Sequence, residues 1–248
     1  MFHDAIPDFF AVCLIFFGAG AVKGILGMGL PTLAMGLLGL VMPVAGAASL
    51  LTVPSLVTNL WQAAGRGLLC VVRRLWLMQA GIVAGVLLAP VLFPGRQEAL
   101  GRPLLGGCLL AYGALGLAGW RIASPPQRWE QPAGLLAGVA SGIVTGLTGV
   151  FVLPAVPYLQ SLALGKDALS QALGLCFTTS TLALAVLLAA QGHLDRGSSL
   201  ASAVVVVPAV LGMVLGQAVR KQMSEALFRR CFFGGLLLLG AWLLMRSH

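Results

Sequence analysis

The chain has 248 residues, of which 59% are hydrophobic and only 9% charged, with a formal net charge of +8. Soluble domains carry roughly a quarter charged residues, so a water-soluble globule is excluded; a membrane β-barrel is excluded too, because nothing here alternates with the two-residue period of a barrel strand. The basic excess does not indicate nucleic acid, since most of the fifteen Lys and Arg flank apolar segments, where they set the orientation of membrane helices.

In chain order, Met1–Phe10 carries Asp4 and Asp8 and no Lys or Arg. It therefore does not read as a cleavable signal peptide, which needs a basic leader region. Between Asp8 and Arg66 the only charge is Lys23. A membrane crossing takes about 20 residues, so this stretch must break. Arg66–Arg74 then punctuates the chain, followed by the uncharged spans Leu75–Gly95 and Pro103–Trp120 with Arg96–Arg102 between them. Arg121–Glu130, containing Pro125-Pro126, reads as a central linker. Gln131–Gly165 is a second overlong uncharged stretch, interrupted by Pro154 and Pro157. Ala168–Gly192, Gly197–Val219 and Cys231–Met245 complete the series, with Arg220–Arg230 before the last. The expected fold is an all-α polytopic membrane protein with about eight transmembrane helices, seven to ten if broken pieces count separately.

The two overlong stretches resemble each other. Gly20-Ala-Val-Lys-Gly24-Ile-Leu-Gly27 matches Gly142-Ile-Val-Thr-Gly146-Leu-Thr-Gly149, each reading GxxxGxxG and each followed by a proline, Pro31 or Pro154. At the same offset Ser55–Asn59 falls opposite Phe177–Thr181. This predicts a first repeat at residues 1–121, a linker at 122–130 and a second repeat at 131–248, the pattern of a secondary transporter. If each overlong stretch is a hairpin of two short pieces, each half crosses an odd number of times and the repeats are inverted. Nine basic residues (Arg66, Arg73, Arg74, Arg121, Arg128, Arg220, Lys221, Arg229, Arg230) then share one face. Arg96, Arg102, Lys166, Arg196 and Arg246 take the other, which places the N-terminus outside. Parallel repeats would divide the cations evenly and specify nothing.

Lys23 is the residue that most invites a function. A lysine at mid-bilayer costs about 2.5–3.5 kcal/mol on insertion scales, so it needs a partner, water or a task. One reading is an anion site or a proton-coupled site; the other is a lysine whose stem snorkels to the interface. Its mate by offset is Thr145. Gly24, Gly27, Gly29, Pro31 and Thr32 in the first half, with Gly146, Gly149 and Pro154 in the second, would let helices stop inside the membrane. Two half-helix N-termini would then face an anion between the halves. Single glycines, by contrast, more often serve close helix packing. Thr52, Ser55, Thr58, Asn59 and Gln62 cluster in the following helix, with Ser55, Asn59 and Gln62 on one face; Thr178, Thr179, Ser180 and Thr181 form a hydroxyl run in the second half. Trp61 either lines that face or packs against lipid, whereas Trp76 and Trp120 read as interfacial anchors.

Catalysis finds no support. His3, His193 and His248 lie at termini or in a loop, no hydrolase or metalloprotease signature occurs, and the five cysteines have no ligand spacing. No cofactor or metal is expected.

The segments Gly20–Pro31 and Val53–Gln62, with Gly138–Pro154 in the second half, resemble the TauE/SafE family of sulfite exporters, also called TSUP transporters. The second half departs from the family in one respect, reading Gly149-Val-Phe-Val-Leu-Pro154 where a richer glycine run is usual. The resemblance implies a carrier of small anions (sulfite, sulfonates or related organic anions) in a bacterial inner membrane. It also implies that Lys23, Gly24, Gly27, Gly29, Pro31, Gly146, Gly149 and Pro154 belong to the site. The partners expected are the small anion and the lipid bilayer; a coupling proton and a homo-oligomer are compatible with the sequence, though no embedded Asp, Glu or His marks a proton path. The alternative is a non-transporting membrane subunit that anchors or assists an enzyme.

Overall fold

A computed structural model describes residues 9–65, 67–120, 122–220, 222 and 224–246. Asp4 and Asp8 lie outside the described residues, as do His3, Arg66, Arg121, Lys221 and His248, three of which enter the cation division that places the N-terminus outside. Every regular element described is an α-helix. The first five are α1 (Phe9–Leu26), α2 (Leu30–Leu38), α3 (Val44–Ala63), α4 (Leu68–Leu92) and α5 (Gln97–Ala118). The remainder are α6 (Gln127–Thr148), α7 (Ala155–Ser161), α8 (Lys166–Ala190), α9 (Arg196–Val204), α10 (Val206–Val219) and α11 (Glu225–Met245). Seven helical stretches are long and apolar enough to cross a membrane, α9 and α10 forming one of them. An eighth long helix, α6, packs along α4; its own glycines, serine and threonines lower its hydropathy. The chain is an all-α multi-pass membrane protein.

Backbone chemistry sets the breaks. α1 stops where Gly27 and Gly29 take positive φ of 75° and 108°, a region that only glycine enters at little cost. Pro31 then starts α2, where a missing N–H is harmless. Gly149, with φ of 69°, ends α6 in the same way, and Pro154 caps α7.

Helix directions follow from which residues meet. The ends of α1 and α3 lie together, because Gln62 reaches the Gly27 carbonyl. The chain must therefore come back through α2 before α3 can start at the opposite face, so α1 and α2 form a hairpin. Gly81 and Gly85 of α4 meet Leu135 and Val139 of α6, a constant register that makes the two helices parallel. Gly212 and Gly216 of α10 likewise meet Phe17 and Ala21 of α1 in parallel. α5 runs antiparallel to α11, with Gly106 against Gly240 and Gly113 against Phe233. α3 runs antiparallel to α8. These directions give each half an odd number of passes and opposite orientations. One charge moves as a result: Lys166 begins α8 on the face of Arg220 and Arg229, with which it lines a cavity. Among the described residues Lys166 thus leaves the expected group of five for the Arg-rich face, because α7 completes a return pass.

The parallel pairs are held by glycine at both surfaces. A Cβ on Gly20 or Gly24 would lie 2.1 and 2.2 Å from the carbonyl oxygens of Ala209 and Met213. On Gly138 or Gly142 it would lie 2.3 Å from those of Met78 and Ile82. In lipid, where apolar helices gain little by hiding from water, such close backbone approach is what holds helices together. Large side chains such as Phe10, Leu69, Val91, Leu136, Val186 and Leu238 point outward to the lipid. Trp61 is also exposed and takes no part in the polar face of α3.

Candidate functional site

Lys23 sits one turn before the end of α1, its backbone carbonyl accepting the Gly27 N–H at 2.8 Å. The side chain does not snorkel. It is 3% exposed, and its Nζ donates to Thr58 Oγ1 at 3.0 Å and to Asn59 Oδ1. Thr58 can accept because its own hydroxyl proton goes to the Pro54 carbonyl at 2.7 Å. Asn59 spends its amide donor on Thr181 Oγ1 of α8, 3.3 Å away, while Thr181 donates to the Phe177 carbonyl. Lys23, Thr58, Asn59 and Thr181 thus form one buried chain of neutral acceptors around a single amine. Among the described residues no carboxylate pairs with Lys23; the ion pair present joins Arg74 and Glu130 at 2.5 Å, at the ends of α4 and α6.

The depth of this network follows from helix geometry. Asn59 is fifteen residues into α3 (44 to 59) and Thr181 fifteen into α8 (166 to 181). At 1.5 Å per residue each lies about 22 Å from its helix start, and the helices start on opposite faces. The contact is therefore interior to the helical bundle, with four residues of α3, about 6 Å, beyond Asn59.

Pro54 is tolerated in the middle of α3 by a specific arrangement. Proline has no N–H for the Leu50 carbonyl, an orphan that would be costly in lipid. The Ser202 hydroxyl of α9 donates to that carbonyl at 2.8 Å and accepts the Val53 N–H at 3.0 Å.

The remaining expected residues divide into groups. Gln62 donates its amide to the Gly27 carbonyl at 2.7 Å and so closes the first break. Ser55 and Thr32 are buried with hydroxyls that have no hydrogen-bond partner, as is Ser141. Thr145 and Thr178 bond the carbonyls four residues earlier, Ser141 and Gly174, and Thr179 is half-buried; none joins the Lys23 network. Gly24 is consumed by packing on α10, and a Cβ on Gly146 would lie 2.7 Å from that of Ala89. Gly27, Gly29 and Gly149 mark the breaks, with Pro31 and Pro154 following them.

The two breaks do not oppose each other across one point. Gly27 lies beside Gln62 and Gly149 beside Ala48, so about 20 Å of α3 separates their neighbours. Each instead lines a separate cavity. One, of about 460 Å³, opens on the Arg-rich face and is lined by Gly27, Gln62, Lys166, Arg220 and Arg229. The other, of about 400 Å³, includes Gly149, Arg102, His193 and Arg246. The sequence places Thr58 in the polar cluster of α3 but not on the shared face of Ser55, Asn59 and Gln62, and the basic lining of the first cavity carries no motif.

The family model Sulfite exporter TauE/SafE matches residues 12–243. A curated relative, named as a probable sulfite/organosulfonate exporter TauE, from Cupriavidus necator, is 29% identical over 164 residues. The match covers 66% of this chain and 63% of that protein, just under two thirds of the relative's length. No solved structure matches the chain. The chain belongs to the TauE/SafE sulfite exporter family.

Proposed function

We propose that the protein is a secondary carrier of small oxyanions, sulfite or an organosulfonate, in the bacterial inner membrane with its Arg-rich face in the cytoplasm and its N-terminus outside. The observation that carries this reading is a buried amine inside a membrane-spanning bundle whose partners are neutral oxygens. A cation left without a counter-charge in a low-dielectric interior favours an incoming anion over an empty site. The unpartnered hydroxyls of Ser55 and Thr32 supply further donors on the neighbouring helices. The two cavities on opposite faces, each stopping at a helix break, fit a site reached alternately as the repeats 1–121 and 131–248 rock about the α3–α8 crossing. No observation favours the alternative of an enzyme-anchoring subunit.

The test is thermal unfolding of the purified protein in detergent with sulfite, sulfate, thiosulfate, sulfonates and carboxylates, wild type beside Lys23→Met. A ligand at about 100 times its Kd adds roughly 2.7 kcal/mol of stability. Stabilisation by one anion class, absent in Lys23→Met, is the expected result. Equal shifts in both proteins, or none in either, would remove Lys23 from the site.

A further inference from the structure

The offset of 122 residues that relates Gly20 to Gly142 also relates the linings of the two cavities, and there the chemistry differs. Where the Arg-rich mouth has Lys166, Gln62 and Arg220, the corresponding positions of the opposite cavity are Val44, Leu184 and Glu98 (166 − 44, 184 − 62 and 220 − 98 are each 122). At these positions two cations and an amide stand against two apolar residues and a carboxylate; the opposite cavity's own cations, Arg102 and Arg246, lie elsewhere in its lining. Arg229 adds a third cation to the mouth. It is held in place by the Phe233 ring, 5.5 Å from its guanidinium carbon, and by the Gly116 carbonyl at 3.4 Å, which leaves other N–H groups for a ligand. Among the described residues the mouth contains one carboxylate, Asp167, and it forms no ion pair with the three cations.

We propose that this mouth is a second anion site, distinct from Lys23, in which Lys166, Arg220 and Arg229 hold a small oxyanion before it passes Gln62. Among the described residues, three cations against one carboxylate leave a surplus of two charges, suited to an oxyanion carrying one or two. A cavity of about 460 Å³ is ample for a sulfite or sulfonate group. Low-dielectric walls around like charges concentrate counter-ions, so the mouth raises the local anion concentration above Lys23. Gln62 separates the two sites: its amide closes the Gly27 carbonyl, and Lys23 lies one turn deeper on α1. The loading role rests on the carrier reading; the mouth site itself does not.

Equilibrium binding of radiolabelled sulfite to the full chain in phosphatidylcholine nanodiscs tests the two sites separately. Wild type should bind two equivalents, Lys23→Met one, and Lys166→Gln/Arg220→Gln one, with the equivalent retained by Lys23→Met weakening steeply as salt rises. Asp167→Asn should tighten the mouth equivalent by roughly 3- to 10-fold at low salt, a gain that misfolding cannot mimic. A single equivalent that is lost in Lys23→Met and untouched by the mouth substitutions would overturn the mouth site and leave the carrier reading standing. A single equivalent with the reverse pattern would support the mouth and sink Lys23. No binding by wild type would overturn both. Discs of phosphatidylglycerol distinguish the source of the oxyanion: unchanged sulfite binding supports a soluble anion, whereas competition supports the same oxyanion chemistry supplied by a lipid phosphate.

Discussion

Asn59 and Thr181, 122 residues apart in the chain, touch: the Asn59 amide donates to Thr181 Oγ1 at 3.3 Å. They occupy matching positions in the two halves, so the contact marks the axis about which the halves are arranged. The asymmetry of chemistry there is as informative as the symmetry of position. The first half brings Lys23 to this contact, whereas its mate by offset in the second half, Thr145 of α6, is neutral and bonds the Ser141 carbonyl.

Asn59→Asp is expected to satisfy Lys23 without an anion. The carboxylate keeps the shape of the amide and puts a full negative charge at a hydrogen-bonded contact with Nζ, supplying the counter-charge that a buried ion otherwise lacks. The ligand-free protein should unfold at or above the wild-type temperature, and sulfite should no longer raise it. Retention of the full sulfite shift would show that the anion does not bind at Lys23.

Glycine packing gives a prediction independent of any ligand. In Gly85→Ala the new Cβ would fall 2.2 Å from the Val139 carbonyl oxygen and 2.9 Å from Gly142 Cα, both backbone. Neither can give way without separating α4 from α6, so the substitution should cost about 1–3 kcal/mol, the usual penalty of overpacking. Gly107→Ala, whose Cβ would meet nothing within 4 Å, is the matched control and should be neutral or slightly stabilising through helix propensity. Unfolding in a denaturing detergent series measures both; equal stabilities would contradict the backbone contact.

These glycines also show where the sequence is legible and where it is not. The repeated GxxxGxxG with its proline correctly places two helix breaks, because Gly27, Gly29 and Gly149 each need positive φ and no other residue type enters that region cheaply. The same motif assigns Gly24 and Gly146 to the break as well, yet they pack helices, and spacing alone cannot separate a glycine needed for φ from one needed for room. Their partners, Gly81 with Gly85 and Gly212 with Gly216, also form GxxxG pairs, but which helix meets which is a matter of tertiary register. Lys23 is legible as an embedded charge; that it turns to Asn59 and Thr58 rather than to the interface depends on α3 ending beside α1. The expected meeting of two helix N-termini fails because each break lies off-centre, Gly27 beside Gln62 and Gly149 beside Ala48 at opposite ends of α3, a depth that the motif does not encode.

Ser202 tests how much a proline inside a membrane helix depends on its neighbour. Ser202→Ala leaves the Leu50 carbonyl and the Val53 N–H without the fully buried hydroxyl that serves both. A loss of about 1–3 kcal/mol is expected, the desolvation cost of a buried backbone group left unpaired. Ser202→Ala combined with Pro54→Ala, which restores the N–H for Leu50, should recover much of it. An uncorrected double variant would mean that Ser202 stabilises α3 by some route other than the proline.

The short helices α2 and α7 hold equivalent places in the two halves but pack differently, and this difference predicts the other state of the carrier. α2 is seated on α5 and α11, with Gly36 against Leu109 and Leu239 and with Tyr112 donating to the Met28 sulfur at 2.8 Å. α7 packs on α6 and α8, and the Arg-rich mouth lies between its Pro157 and Gln160 and the Tyr112–Gly116 stretch of α5. In an inverted repeat, exchanging the two conformations produces the state open to the opposite face. α7 would then close onto α5 while α2 leaves it. Gln160→Cys with Leu115→Cys should accordingly form a disulfide under mild oxidation, faster when sulfite is present, because a bound anion is needed for the halves to rock. The oxidised protein should lose binding from the Arg-rich face and regain it on reduction. If the pair never forms, or forms without affecting binding, α7 is a fixed wall of the mouth and the closing movement belongs to another helix.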